Sequence, residues 1–326
     1  MVDTSKPRQT PMSVRAHGFD DERLDSRITD LLSMLATVFD GLRDQCYLPP
    51  GDSLEFVIAE DLSQAVRELA GSTVGVEDLS HYGLERIGGI VVGKTMFRDD
   101  AHRRVVIALD TAIFEAAEPS ADALRLFLVS HELAHGLIGQ LRTAGGAAMA
   151  PTHLPWETSR WLARYALEDY LADSVAELVL SQCGHVTDEA GLEQPLTIRL
   201  VFPRSSDSVD AALAQLRETT GRVHQYRLDG ALEAMWGEVQ AATSQTLITI
   251  AHAQAEVDDP IGDPAPSVTS VSAEEFGPLH DCWEAMHQML SSFPLLCTPE
   301  RFAELEPQLL ETGGNLILQL WRELGL

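Results

Sequence analysis

Two histidines, His131 and His135, bracket Glu132 inside the otherwise apolar stretch LFLVSHELAHGLIGQ (126–140). On an α-helix, residues four apart lie roughly 40° from each other about the axis and one turn apart. Both imidazoles can therefore offer a nitrogen to the same ion. Glu132 is rotated by roughly 100° from His131, which takes it off the ligating stripe but leaves it within reach of a water on the ion. Burying three titratable groups in an apolar segment is costly unless something pairs with them. The HExxH pattern supplies that pairing: two zinc ligands and a general base on one helix.

A catalytic zinc takes three protein ligands and keeps one position for water. The nearest source of the third is ALEDYLADSVAELV (166–179), one loop downstream. Asp169 and Asp173 are one helical turn apart and share a face with Ala172, Ala176 and Leu180. Acids on a face of small apolar residues call for something positive against them. Glu168 lies on the neighbouring stripe with Ala172, Val175 and Val179 and stays open as the alternative ligand. The chemistry implied is hydrolysis. Zinc lowers the pKa of its bound water and polarises a carbonyl, Glu132 takes the proton as general base, and a further donor must meet the oxyanion. Tyr165, Tyr170 and His153 are near enough in sequence to be candidate oxyanion donors. His280, Cys282, His287 and Cys297 match no zinc-module spacing and read as ordinary helix residues.

The elements that must position these groups follow from periodicity. Residues 1–25 read as a flexible N-terminal tail, and RLDSRITDLLSMLATVFDGLRDQ (23–45) as an amphipathic helix with Ile28, Leu31, Leu32, Leu35 and Phe39 on one face. A strand at LEFVIAE (54–60), a helix ending at Gly71, and two strands joined by the turn-prone RDDA lead into the HExxH helix. That helix should run to about Arg142 and stop before Gly145-Gly146. The ligand helix should close at Gly184. Residues 26–190 thus form one expected domain, and 191–326 a mainly α-helical C-terminal region. The latter is interrupted by the Pro/Asp/Ser-rich loop VDDPIGDPAPSVTSVS (257–272). Thr298-Pro299 should open a further helix, separated from the last one by Gly313-Gly314.

Composition narrows the partners. The 326 residues are 45% apolar and 22% charged, with a net charge of −27. Such a balance suits a globular chain and argues against nucleic acid or an anionic membrane as a partner, since phosphate contacts need a basic surface. Lys6 and Lys94 are the only lysines. No apolar leader or membrane span is visible, and the four cysteines form no CxxC pair. The expectation is a cytoplasmic protein acting on a protein or peptide substrate, or on one specific regulatory protein.

HELAH followed by an acid, a spacer and AD in DYLADSVA resembles the zincin metallopeptidases of the gluzincin type. With the lead-in GGIVVGKTMFRDDAHRRVVIALD and LRLFLVSHELAH, the chain is most similar to the ImmA/IrrE family over about residues 85–180. The resemblance implies an α+β, zincin-like metallopeptidase domain: a small sheet, the HExxH helix and a downstream ligand helix. It assigns zinc to His131, His135 and Asp169, the base to Glu132, and to Asp173 the acid that orients a ligating histidine. The family has Glu where this chain has Asp169, which is one methylene shorter. RRVVIALD resembles the edge strand on which zincins lay an extended substrate. The competing expectation is a non-catalytic regulatory or protein-binding module with a structural zinc, which would have no need of Glu132.

Overall fold

The computed structural model describes residues 9–21, 24–71, 85–86, 89–90, 92–115, 119–146, 155–187, 193–198, 207–258, 265–269 and 276–326. Strand β1 (Met12–His17) leads to helix α1 (Ser26–Gln45), strand β2 (Ser53–Ala59) and helix α2 (Leu62–Ala70). Short strands β3 (Glu85–Arg86) and β4 (Gly89–Ile90) pair with each other. Strands β5 (Gly93–Phe97) and β6 (Arg104–Asp110) follow, then a single turn, α3 (Ala112–Glu115), and the long helices α4 (Pro119–Ala144) and α5 (Pro155–Cys183). Strands β7 (His185–Thr187) and β8 (Glu193–Pro195) form a second small pair. The remaining elements are helices: α6 (Asp207–Gly221), α7 (Val223–Asp229), α8 (Leu232–Ala255), α9 (Pro278–Ser292) and α10 (Pro299–Glu323). The class is α+β.

The main sheet has the order β1-β2-β6-β5. Strands β1, β2 and β6 are parallel, and β5 returns antiparallel to β6. Side chains alternate faces along a strand. Leu54, Phe56 and Ile58 therefore pair in register with Val105, Ile107 and Leu109 on the side packed with α1 and α4. Val57, Val106, Ala108 and Met96 occupy the other face against Leu62, Val66 and Leu69 of α2. With both faces covered, β6 reads as a continuous apolar run. That corrects the edge-strand reading of RRVVIALD: β6 is internal, and among the described residues β5, beside α4, is the terminal strand.

Helix α5 is the hub. Every residue from Leu171 to Leu180 is buried, because α4, α8 and α10 pack around it. Such all-round burial puts the helix in the middle of the core, and its acids Asp173 and Glu177 are buried with it. One continuous core runs from Leu32 on α1 through Phe56, Leu137 and Val179 to Ile250 on α8 and Trp321 on α10. The expected division at residue 190 therefore does not separate two cores. The loop at 257–272 is described only at 257–258 and 265–269, and these two pieces are fastened together. Asp258 accepts from the backbone N–H of Ala265 (3.0 Å), and Val268 donates to Gln254 (2.7 Å).

Two other expectations are corrected. Part of the tail is a strand. Thr10 bonds Asp40 through its backbone N–H (2.9 Å) and its hydroxyl (2.6 Å), and buried Arg43 donates to that hydroxyl (2.7 Å). That anchor aligns Met12–His17 with β2. Gly230, whose φ is +70°, ends α7 before α8 begins. Gly313-Gly314 does not end a helix, because α10 runs straight through it. A Cβ on Gly313 would lie 2.9 Å from Ala163 Cβ, and one on Gly314 would lie 2.8 Å from Arg160 Cγ. The pair is there to let α10 lie close on α5. No helix among the described residues is long and apolar enough to cross a membrane.

Candidate metal centre

Helices α4 and α5 face each other across the core, and their acids and histidines meet at one point. His131 Nε2 and His135 Nε2 lie 3.0 Å apart. Asp169 Oδ1 is 3.9 Å from the first and 3.8 Å from the second. Two ligands of one tetrahedral ion, at bonds of ~2.0–2.2 Å, lie roughly 3.3–3.5 Å apart. The three atoms bracket that spacing, so this group can hold a metal ion.

Asp173 does different work. Its side chain is almost fully buried, and its two oxygens are divided between two histidines. Oδ1 accepts from His131 Nδ1 and Oδ2 from His252 Nδ1, both at 2.6 Å. These are hydrogen-bond lengths, shorter than the spacing of two ligands on one ion. Burial works to raise the Asp173 pKa, but the two imidazoles outweigh it and hold the carboxyl well below the usual carboxylate range. An ionised carboxylate only accepts, so each Nδ1 donates to it, and in the neutral form of each ring Nε2 is the atom with the lone pair. This is the carboxylate–histidine arrangement that orients metal ligands.

Burial also acts to lower the His131 pKa, yet Asp173 beside it leaves the ring above its ordinary value. His135 lacks that partner; burial and the neighbouring His131 lower it.

Glu168 does not join the centre. Arg142 of α4 pairs with it, and Arg164 Nε lies 3.2 Å from the same oxygen. Burial opposes its ionisation, but the two guanidiniums bring its pKa down to about 2. Asp169, rather than Glu168, faces the histidines. Tyr170 is also drawn elsewhere. Its hydroxyl donates to buried Asp258 at 2.7 Å, which removes it as an oxyanion donor. Tyr165 sits one turn before Asp169 on α5, with 41% of its surface exposed. His153 lies outside the described residues.

Glu132 points off the ligand stripe towards β5. The Thr95 hydroxyl lies 2.7 Å from Glu132 Oε2 and 2.6 Å from its backbone carbonyl. The carboxylate packs over Gly93, where a Cβ would come within 2.9 Å of Oε1. Neither Gly93 nor Thr95 is distinguishable in the sequence from any other strand residue. His252 was equally silent: a single histidine in the apolar run LITIAHAQA reads as a core residue, with nothing to link it to Asp173.

A zinc-competition titration separates these roles. Asp173→Ala should lower zinc affinity about 10- to 100-fold, the usual loss when an orienting carboxylate is removed. Asp169→Ala should cost more, and Glu168→Gln should leave it unchanged. A loss with Glu168→Gln and none with Asp169→Ala would reverse the assignment. No protein-family model, curated protein or solved structure matches the chain.

Proposed function

We propose that the chain is a zinc-dependent metallopeptidase with a zincin-like catalytic domain. The observation that carries this reading is the placement of Glu132. It sits beside the His131–His135–Asp169 group but not in it, with Thr95 holding one oxygen and Gly93 giving the other room. A brace needs no such group. Three convergent imidazole and carboxylate atoms, with a carboxylate fixing one ring from behind, are the donor chemistry zinc prefers.

Bound there, zinc supplies a water of near-neutral pKa and polarises the scissile carbonyl. The chain's own residues do the rest. Glu132 accepts the attacking water's proton and returns it to the leaving amine. Thr95 steers that carboxylate by bonding Oε2. Strand β5 ends the sheet and can pair an extended peptide along its outer edge, which would carry the scissile bond past Glu132. Tyr165 is the candidate donor to the oxyanion.

The test is cleavage of an unstructured polypeptide by purified protein. Zinc-loaded wild type should cut it, a chelator should stop the reaction, and added zinc should restore it. His135→Ala should stay inactive with zinc added. No cleavage of either an unstructured polypeptide or a mixed peptide library by the zinc-loaded chain would overturn the reading.

A further inference from the structure

We propose that His252, on α8 of the C-terminal region, is itself a metal ligand. The centre then has three imidazoles and one carboxylate, assembled from α4, α5 and α8. Asp173 treats His252 as it treats His131: one oxygen each, on Nδ1, at 2.6 Å. Both rings are therefore held by Nδ1, which leaves Nε2 as the atom free to face an ion, the orientation a ligand needs. His252 Nε2 lies 3.5 Å from Asp169 Oδ1. The same oxygen is 3.9 Å and 3.8 Å from the other two Nε2 atoms, so Asp169 Oδ1 is the common neighbour of all three.

A charge-assisted hydrogen bond would be ~2.7–2.9 Å, so the 3.5 Å contact is longer than a direct hydrogen bond. It does match the edge between two ligands of one ion, roughly 3.3–3.5 Å. Ring positions agree. The His131 and His252 centroids are 5.6 Å apart, and those of His131 and His135 are 4.7 Å apart. Imidazoles sharing a tetrahedral ion have centroids roughly 5 Å apart.

The inference rests on the metal site proposed above and not on its hydrolytic activity. Four-ligand zinc is common at structural sites, and catalytic zinc expands to five, so the role of Glu132 keeps its own test. If His252 ligates, an ion ties α8 to the HExxH helix, and the C-terminal region becomes part of the centre.

X-ray absorption on the zinc-loaded full chain counts imidazoles by their outer-shell scattering. We expect three in the wild type and two in His252→Ala. Zinc affinity of His252→Ala should fall more than about 100-fold, beyond the loss of an orienting contact. Two imidazoles in the wild type overturn the proposal, whether or not the variant folds, and leave the peptidase reading standing. Three in both proteins also overturn it. A wild type that binds no zinc overturns both.

Discussion

On the proposed metallopeptidase reading, Glu132→Gln should bind zinc as the wild type does and lose hydrolysis by about 100- to 10,000-fold, the span typical of a missing general base. The amide has nearly the shape of the carboxylate and can still bond Thr95, but it cannot take up the water's proton. Zinc content, circular dichroism and cleavage rate are measured on the same preparation. Gly93→Ala is the companion variant. Its Cβ would come within 2.7 Å of Glu132 Cγ, and the flexible carboxylate should swing aside rather than the strand. Activity should fall with zinc retained. If Glu132→Gln cleaves at the wild-type rate, the metal is a brace and Glu132 is not the base.

Arg142→Ala should cost about 3–5 kcal/mol of stability, the usual result of stripping one partner from a buried ion pair. Arg142 and Glu306 are both nearly fully buried. The guanidinium donates to Glu306 Oε1 through Nε at 2.7 Å and a terminal nitrogen at 2.5 Å, while another terminal nitrogen pairs with Glu168. Burial alone would lower the Arg142 pKa, and the two carboxylates raise it instead. Without it, Glu306 is left charged inside the α4–α10 interface. Glu168 keeps Arg164. Urea denaturation measures the loss, and the double variant Arg142→Met with Glu306→Leu should recover much of it, since apolar replacement removes the stranded charge. A single variant within 1 kcal/mol of wild type would show that the network carries no net weight.

The local elements were legible because their signals are local. The 3.6-residue period marked α1, α4 and α5. Asp61 and Thr298 cap α2 and α10 by accepting from Gln64 N (2.8 Å) and Arg301 N (3.3 Å). Gly313-Gly314 misled for the same reason: two glycines look like a stop until a neighbouring helix is seen lying against them. The β1 strand was hidden because MSVRAH has only a weak pattern, and Asp40 and Arg43 from α1 place it.

At the centre the division is similar. By itself the sequence determined that His131 and His135 share a stripe, that Glu132 leaves it, and that Asp169 and Asp173 share a face, since helical geometry fixes all three. It could not choose between Asp169 and Glu168, which differ only in rotation about one helix. Arg142 and Arg164 make that choice by claiming Glu168. Nor could it bring His252 across 79 positions to the second oxygen of Asp173, or set Thr95 against Glu132. Those contacts depend on how α4, α5, α8 and β5 pack around a shared core. Packing joins residues by distance in space, which no spacing along the chain records.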